Sequence, residues 1–488
     1  MLAMRIPLTQ ARKNPASLEA ISQLRVEAGG VVWGAQAASL PISAASRNAS
    51  GKDRRQAADD RRLAACAPQR FVRATFSFRP QLLHALRFAL NSPPMILEHP
   101  LSDDERDFLD RVAEFARTEV MPHADQWDHD EKLPREIFTK AGKIGMMGMV
   151  APKEYGGRSM SYVTAALAIK ELGKAYAALS MDIAAHNALA VGQINQFGTA
   201  EQKRKYLPRL TSGEWIGAWA LTEPNAGSDT GGIETKGHQD GDDWRVNGLK
   251  KFITSGRTAE LLVVMATTGK TDAGKNEISA FIMMKDQVTP VRKIHTYGMR
   301  ASDTAELRFE NSKAEMLGAR GRGREQALSV LDRGRIGIAA LAVGIAEAAF
   351  DRANSYANER KQFGHAIGDF QAVQWMLVDS AMELEAAEVM TMHAAYLQDQ
   401  GQNTTKESAM AKLMASESAV KICDRAMQIH GGYGYSRDLP IERYLRDAKL
   451  CEIGEGTSQV QRLVIARHVL KEAKPLKLAH RDRPASNR

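Results

Sequence analysis

The chain has 488 residues, of which 44% are hydrophobic and 25% charged, a composition typical of a soluble globular protein large enough for several packed layers. Its three cysteines form no C-x-x-C pair and no zinc-ligand spacing, which argues against a disulfide scaffold or a zinc site. Its longest apolar run, 336–346, is too short to cross a bilayer, which argues against a membrane span. The net charge of +8 arises in residues 1–95, whose 14 basic and 5 acidic side chains give +9 and leave −1 for the other 393 residues, so the body of the protein lacks the basic excess of a nucleic-acid-binding protein.

Residues 1–95 are rich in Ser, Ala and Arg and show no sustained hydrophobic periodicity, so we predict a basic, mostly disordered extension. Their composition is similar to that of an organelle transit peptide, although such leaders are usually shorter. Translation that begins at Met95, just ahead of the ordered body, explains the same observations equally well. A second basic stretch, 473–488, is predicted to be a frayed tail.

Residues 96–214 are predicted to form an N-terminal helical domain. Ser102 is a good N-cap, and the acidic residues that follow it suit the positive end of a helix. Phe108, Val112 and Phe115 then recur at helical spacing. Further helical segments continue to about residue 212.

Residues 215–323 change period and are predicted to form a small antiparallel β domain, either a barrel or a sandwich. Short apolar runs such as "ELLVVMATT" and "ISAFIMMKD" alternate there with turn residues. Asn247-Gly248 predicts a hairpin turn, because both residues tolerate positive φ angles. The stretch "GKTDAGKN" (269–276) is close to a phosphate loop, but Asn276 replaces the required hydroxyl and strand-like runs lie on both sides. We therefore predict a hairpin loop there.

Residues 324–472 return to long helices whose apolar stripes suit an antiparallel four-helix bundle. Gly364 is predicted to stop the first of these helices, and Ser458 is predicted to be the N-cap of the last. The predicted fold class is therefore mostly α with a central antiparallel β domain, between an N-terminal helical domain and a C-terminal four-helix bundle. It lacks the alternation of a doubly wound nucleotide-binding fold.

Two segments carry candidate chemistry. The loop 220–232, "ALTEPNAGSDTGG", can bring backbone N–H groups and hydroxyls against a flat polar ligand, although a plain surface loop explains it equally well when it is taken alone. Glu455 lies between Gly454 and Gly456 just ahead of the last predicted helix, where a residue needed only for capping would not be placed. An uncrowded carboxylate suits proton abstraction, particularly where a bound apolar ligand excludes water and raises its pKa.

Five stretches occur in one order along the chain: "LTEPNAGSD", "GMRASDTAELRFEN", "ERKQFGHAIGDFQAVQ", "QIHGGYGYSRDLPIERYLRDAKL" and "EGTSQVQRLVIAR". Together they resemble the signatures of the acyl-CoA dehydrogenase family, over residues 96–472. The resemblance implies that FAD binds between the β domain and the C-terminal helices, in a homotetramer built as a pair of dimers. It also implies an acyl-CoA substrate and an electron-transfer flavoprotein partner, with no metal, nucleic acid or membrane insertion.

The resemblance assigns site residues by position. Those beside the flavin are Trp219, Leu221, Thr222, Gly227, Ser228, Phe252 and Thr254, the last with its hydroxyl near the nitrogen that accepts hydride. Those at the pyrophosphate and adenosine, across a dimer interface, are Arg360, Gln362, Phe363, Gln428 and Gly432, and Thr457 and Gln459 complete the cofactor site. Those expected to contact the acyl-CoA are Ser228, Asp332, Arg335, Gly456 and Arg467.

Glu455 falls at the position of the catalytic base in short- and medium-chain members of that family. Some relatives, including the isovaleryl type, carry the base in an earlier helix, at the position that is Gly334 here. The resemblance therefore implies that Glu455 takes the α-proton while the flavin accepts the β-hydrogen as hydride. The expected product is a trans-2-enoyl-CoA.

Other interpretations remain open within the same resemblance. An acyl-CoA oxidase would pass the electrons to oxygen, and a DNA-associated alkylation-response member would need a basic groove on the body. The likeness favours short or short-branched acyl chains, as in β-oxidation or branched-chain amino acid breakdown. The expected compartment is a bacterial cytoplasm, or the mitochondrial matrix if residues 1–95 contain a cleaved leader.

Overall fold

The computed structural model describes residues 101–472, so the predictions for 1–95 and 473–488 lie outside the described residues. The N-terminal part is helical, as predicted. Its helices are α1 (Asp103–Phe115), α2 (Ala124–Asp130), α3 (Arg135–Lys143), α4 (Tyr162–Ala175), α5 (Ala177–Ala185), α6 (Gly192–Phe197) and α7 (Ala200–Thr211). Two π-helical segments, Ala116–Val120 and His186–Val191, follow α1 and α5.

Helix α1 begins with the predicted cap. The Ser102 hydroxyl accepts a hydrogen bond from the Glu105 backbone N–H, and the Glu105 carboxylate accepts one from the Ser102 backbone N–H, which completes a capping box. Phe108, Val112 and Phe115 are buried on one face of the helix. This part of the sequence interpretation is confirmed.

The central part is a seven-stranded sheet. Its strands are β1 (Gly217–Ala220), β2 (Lys236–Asp240), β3 (Asp243–Ile253), β4 (Leu261–Lys270), β5 (Asn276–Met284), β6 (Thr289–Lys293) and β7 (Ala305–Leu317). The strand order is β1-β4-β2-β3-β7-β5, the pairing of β4 with β5 closes the sheet on itself, and β6 pairs with β7. Because the ends of the sheet meet, this part of the chain forms a barrel.

The prediction of an antiparallel domain needs a correction at β4, which pairs in parallel with β1 and, through Lys236 and Thr267, with β2. The other pairings are antiparallel. Parallel neighbours need a long crossover, and β2 and β3 provide it between the end of β1 and the start of β4. The residues directly after β1 are therefore carried to one end of the barrel.

The predicted hairpin turn at Asn247-Gly248 is wrong, because both residues lie inside β3. There the pairing with β7 shifts register, and the Asn247 side chain accepts a hydrogen bond of 2.7 Å from the Asn311 backbone N–H. Glycine is required at 248 since a Cβ there would lie 2.4 Å from the Thr235 hydroxyl oxygen. The turn that joins β2 to β3 instead contains Gly241, at φ 60°.

The loop "GKTDAGKN" connects β4 to β5, with Lys270 paired to Asn276, so the hairpin-loop prediction is confirmed. The C-terminal elements follow the barrel. They are α8 (Gly323–Glu359), β8 (Lys361–Gln362), β9 (His365–Ala366), α9 (Gln371–Asp399), α10 (Thr405–His430), α11 (Gly432–Tyr435), α12 (Ile441–Cys451) and α13 (Ser458–Glu472). Helix α12 was not anticipated from the sequence.

Helix α8 is the centre of the fold. It packs against α4 on one side and α10 on the other, and α9 and α13 pack on α10. Small residues permit this close packing: a Cβ at Gly344 would lie 2.2 Å from the Lys170 carbonyl oxygen of α4. Among residues 101–472, no helix is long and apolar enough to cross a membrane.

The predicted helix stop at Gly364 is also wrong. Helix α8 ends at Glu359, and Arg360 already has extended backbone angles. Phe363 at φ 52° and Gly364 at φ 83° form the two-residue turn of a small hairpin between β8 and β9. The glycine therefore serves a turn between strands, and Phe363 is presented at its tip with 91% of its surface exposed.

Candidate active site

Glu455 lies in the short loop between α12 and α13. Its φ angle is 53°, in the left-handed region that residues other than glycine seldom adopt, and Gly456 follows at φ 96°. Such backbone persists only where surrounding contacts hold it, and it is concentrated at functional sites. Of the two glycines beside Glu455, only Gly456 adopts the positive φ angle that glycine allows, whereas Gly454 has an ordinary φ angle.

Side chains from two helices hold this loop. Gln461 of α13 donates its amide to the Gly456 carbonyl at 2.9 Å and to the Glu455 carbonyl at 3.2 Å. Lys412 of α10 donates its ammonium to the same Gly456 carbonyl at 2.8 Å. The N-cap of α13 is Thr457, whose hydroxyl accepts from the Val460 backbone N–H at 3.3 Å. The predicted cap at Ser458 is thus one residue too late.

The Glu455 carboxylate faces α8. A Cβ built on Gly334 would lie 2.0 Å from Oε2 of Glu455, so the carboxylate occupies the space that a side chain at 334 would fill. Within the described part of the chain, this buried Oε2 has no hydrogen-bond partner. Burial raises the pKa of Glu455 to about 7, against the opposing charges of Arg335 and Lys412. A group with this pKa can exchange a proton near neutral pH.

Arg335 and Asp332, both assigned to the acyl-CoA by resemblance, form an ion pair on α8. The Arg335 Nη1 atom lies 2.6 Å from the Asp332 carboxylate, whose other oxygen accepts from the Thr405 hydroxyl at 2.6 Å. Arg335 is 4% exposed. The pair therefore fixes the Arg335 guanidinium, whose charge acts on Glu455, and ties α8 to the start of α10.

A cavity of about 210 Å³ lies beside this region, between α4, the segment His186–Val191 and α8. Gly337, one helical turn along α8 from Gly334, is part of its wall. Most of its lining is apolar, including Ile169 and Ile336. Space for an uncharged chain is thus available within one turn of the point where Glu455 contacts α8.

The loop after β1 is anchored by a buried ion pair. The Lys250 ammonium of β3 lies 2.7 Å from the Glu223 carboxylate and donates to the Leu221 carbonyl at 2.8 Å. Glu223 also accepts the backbone N–H of Thr235 at 3.0 Å. Lys250 is completely buried, and burial lowers its pKa to about 8 against the opposing charge of Glu223. The loop is therefore held rigidly against β3, while Gly227 and Ser228 at its tip are exposed.

Thr222 and Phe252 are brought together by this arrangement, because the Lys251 backbone N–H donates to the Thr222 carbonyl at 2.9 Å. Phe252 has a φ angle of 60° and is 56% exposed, which is unusual for a large aromatic residue. The hydroxyls of Thr222 and Thr254 have no hydrogen-bond partner within residues 101–472. An exposed ring beside two free hydroxyls fits a flat ligand with polar edges.

Trp219 lies on β1, and its indole N–H donates to the Gln193 side chain at 2.7 Å, which fixes the ring orientation. The second group of predicted cofactor residues lies elsewhere. Arg360 and Gly432 line a cavity of about 520 Å³ near the far end of α8, and the Arg360 guanidinium lies 5.9 Å from the Tyr433 ring centroid. Gln362, Gln428, Gln459 and Arg467 are exposed side chains.

The second group lies near the end of α8 that is remote from Gly334. Arg360 follows Gly334 by 26 residues along α8, which corresponds to roughly 39 Å at the helical rise. Arg360 therefore lies far along α8 from the point where Glu455 faces that helix. Among residues 101–472, no cluster of His, Cys, Asp and Glu is arranged to hold a metal ion.

Comparison with known proteins decides the family. The models for the acyl-CoA dehydrogenase N-terminal, middle and C-terminal domains match residues 102–214, 218–312 and 321–470. The chain belongs to the acyl-CoA dehydrogenase family. Enzymes of this family are flavin-dependent oxidoreductases, so the resemblance and fold class predicted from the sequence are confirmed.

Individual relatives support the same family. The "Probable acyl-CoA dehydrogenase YngJ" of Bacillus subtilis is 46% identical over 376 residues, which cover 76% of this chain and 99% of that protein. The short-chain specific acyl-CoA dehydrogenase of Clostridium acetobutylicum is 44% identical over 365 residues, covering 74% and 96%. The structure of butyryl-CoA dehydrogenase from Megasphaera elsdenii matches with a TM-score of 0.74 at 37% identity, over 77% of this chain and all of that one.

Three charged residues that hold the loop after β1 and the Glu455 loop are not predicted by the sequence: Glu223, Lys250 and Lys412. Buried charged residues are easily taken for surface residues in a sequence. For Lys412 a signal was present, since Ser408, Ala411, Ala415 and Ala419 surround it at helical spacing. A single lysine in a stripe of small residues indicates a charge that faces a close neighbour.

We expect Lys250→Met to destabilise the folded protein by roughly 3 kcal/mol, because the buried Glu223 carboxylate would lose its partner. Urea unfolding at pH 7 measures the change. Lys313→Met is the matched control, since Lys313 pairs with Asp243 on the exposed side of the same barrel and its loss should cost less than about 1 kcal/mol. Equal losses for the two variants would contradict the prediction.

Proposed function

We propose that this acyl-CoA dehydrogenase family member converts an acyl-CoA thioester to its trans-2-enoyl-CoA, with Glu455 as the base that removes the α-proton. The observation that carries the proposal is the Glu455 carboxylate, whose Oε2 atom is buried and has no partner within the described residues, on left-handed backbone. Its pKa near 7 makes it an effective base at neutral pH. FAD would supply the acceptor for the β-hydrogen, which leaves as hydride.

The α-proton beside a thioester is weakly acidic, so its removal requires a base in a fixed position and donors for the charge that develops at the carbonyl. The Glu455 loop supports the first requirement, because Gln461 and Lys412 hold both of its inner carbonyls. The proton removed from the substrate would come to rest on the carboxylate. The hydride and the proton together account for the two hydrogens lost from the acyl chain.

FAD fits the residues at the end of the barrel. We propose that Thr222, Thr254 and Ser228 supply hydrogen bonds to the flavin edge, while Trp219 and Phe252 contact its rings. Gly227 has no atom within 4 Å of the place where a Cβ would be, so the loop tip is open to a ligand. Leu221 would add apolar contact, and Thr457 and Gln459, at the start of α13, complete the set assigned by resemblance.

A second copy of the chain would complete the cofactor site. Arg360, Gln362 and Phe363 follow the end of α8, roughly 39 Å along the helix from Gly334. Gln428 and Gly432 flank a segment that lines the same cavity as Arg360. We propose that these five residues contact the pyrophosphate and adenosine of the FAD held by a neighbouring subunit. Phe363 supports this, because a phenyl ring that is 91% exposed on a rigid turn is suited to an interface. A homotetramer, as a pair of such dimers, is the assembly we expect.

For the substrate we propose a short or short-branched acyl-CoA, in agreement with the short-chain specific relative. Ser228 and Arg467 are exposed and available to the CoA portion, while Gly456 borders the reacting carbons. Asp332 and Arg335, which form an ion pair on α8, would act on the acyl-CoA through their charges. The electron acceptor we propose is an electron-transfer flavoprotein, and the compartment the cytoplasm of a bacterium.

A panel of acyl-CoA substrates tests this function. Purified protein loaded with FAD is mixed anaerobically with straight-chain and branched acyl-CoA thioesters of increasing length, and loss of the yellow flavin colour is recorded. We expect rapid bleaching by butyryl-CoA and slower bleaching by long chains. Failure of every thioester to bleach the flavin would overturn the proposal. Reoxidation by electron-transfer flavoprotein is expected, whereas rapid peroxide formation in air would identify an oxidase.

A further inference from the structure

Lys412 lies in the first third of α10, in contact with the Glu455 loop. The residue is completely buried, and its ammonium donates a hydrogen bond of 2.8 Å to the Gly456 carbonyl. A lysine is seldom buried to this extent, because removing its charge from water is costly unless a partner compensates. Neither the family match nor the sequence interpretation gives this residue a role.

A hydrogen bond alone does not explain a lysine at this position. The Gly456 carbonyl already accepts a hydrogen bond from the neutral amide of Gln461 at 2.9 Å. A second neutral donor, or an apolar residue of the same volume, would leave that carbonyl satisfied. What only Lys412 adds is a positive charge, and Glu455 is among the charges that act on it.

The other charged and titratable groups that face Lys412 come from two helices. Arg335 of α8 adds a second cation, although Asp332 pairs with it directly. Cys451 at the end of α12 is a buried thiol whose pKa burial raises to about 12, so it stays neutral. Glu452 pairs with Lys449 on the outer side of the loop. Among these groups, Glu455 is the acid without a pairing of its own in the described structure.

We propose that Lys412 is a positioning residue for Glu455, which fixes the loop through the Gly456 carbonyl and favours the ionised carboxylate through its charge. The inference rests on the proposed function, since it gives Glu455 the role of a base. A nearby cation favours the charged form of a carboxylate, whereas burial favours the neutral form. Lys412 thereby keeps Glu455 ionised at a pH where burial alone would leave its carboxylate protonated.

The proposal is tested by the pH dependence of flavin reduction. FAD-loaded protein is mixed anaerobically with saturating butyryl-CoA between pH 6 and pH 9, for the wild type, Lys412→Met and Gln461→Met. Burial lowers the pKa of Lys412 to about 8, so its charge is largely absent in the wild type at pH 9. We expect removal of Lys412 to raise the pKa of Glu455 by about one unit. The ratio of the wild-type rate to the K412M rate should then be roughly tenfold greater at pH 6 than at pH 9.

Gln461→Met is the matched control, because it removes the other donor to the Gly456 carbonyl without removing a charge. We expect it to lower the rate by a similar factor at every pH. A K412M profile parallel to that of the wild type would overturn the role of the charge, even with the proposed function intact. If the wild type itself is not bleached by butyryl-CoA, the proposed function fails instead. Should K412M not fold, Lys412→Gln removes the same charge and must show the same shift.

Discussion

Replacement of Glu455 by glutamine is expected to slow reduction of bound FAD by butyryl-CoA by roughly 10³-fold or more, because the amide cannot accept the α-proton. The glutamine keeps the size of the side chain, so the variant should retain FAD and its yellow colour. Anaerobic stopped-flow absorbance measures the rate. The matched control is Glu417→Gln, since that carboxylate pairs with Arg462 on the outer side of α13 and its loss should leave the rate unchanged.

Glu455 should also set the acid limb of the reaction. Its pKa is raised to about 7 by burial, so the wild-type rate should rise as the pH increases through 7. A profile that is flat between pH 6 and 8, or an E455Q variant that is bleached at the wild-type rate, would contradict the assignment of the base.

The stability of E455Q distinguishes loss of the catalytic base from loss of the folded structure. Because the folded-state pKa of Glu455 is above its ordinary value, its stabilising contribution is complete below about pH 4.5 and is lost as the pH rises through 7. At pH 8 the wild type therefore holds an ionised carboxylate in a poorly solvated place. E455Q should be more stable there by roughly 2 kcal/mol, allowing for partial exposure, and equally stable at pH 5.

Substitution of Gly334 by alanine is expected to lower the flavin reduction rate by about 100-fold, although it adds only one methyl group. That methyl carbon would lie 2.0 Å from Oε2 of Glu455, so the carboxylate must move. The atom that moves is the end of a flexible side chain, and alanine favours a helix over glycine by about 1 kcal/mol, so folding should not suffer. The measurements are the single-turnover rate and the unfolding free energy.

Gly337→Ala is the control for helix propensity, one turn further along α8. Its methyl group would lie 3.6 Å from the Ala184 Cβ, an ordinary contact, and no atom of Glu455 lies close by. Gly337 lines the apolar cavity, so the control is read with butyryl-CoA, whose short chain leaves room for one added methyl group. With that substrate we expect G337A to keep most of the rate and to be slightly more stable than the wild type. If G334A were as active as G337A, the contact between α8 and the carboxylate would have no part in positioning the base.

The sequence predicted well whatever depends on local pattern. The Ser102 capping box needs only residues three apart, and the Glu455 loop stands out because an acid is flanked by glycines ahead of a helix. Even so, the sequence predicts the N-cap one residue late, at Ser458, because Thr457 and Ser458 are chemically equivalent caps and only the backbone path selects between them. Such one-residue errors arise where two neighbours compete for the same role.

Long-range pairing accounts for the larger errors. Asn247-Gly248 has every local property of a hairpin turn, but continuous pairing of β3 with β7 extends the strand through it. Gly364 likewise follows a long helix, yet it belongs to a turn between two short strands. The roles of Lys250 and Lys412 depend on contacts with residues 27 and 44 positions away, which no local pattern records.

The contact between Gly334 and Glu455 restricts how this active site can evolve. One small volume lies between α8 and the loop, and it holds a single acid side chain. If the acid were carried by α8 at position 334 instead, the side chain at position 455 would have to become smaller. Either change made first produces an intermediate that is overcrowded or has no base, so lineages can exchange one arrangement for the other only by paired substitution.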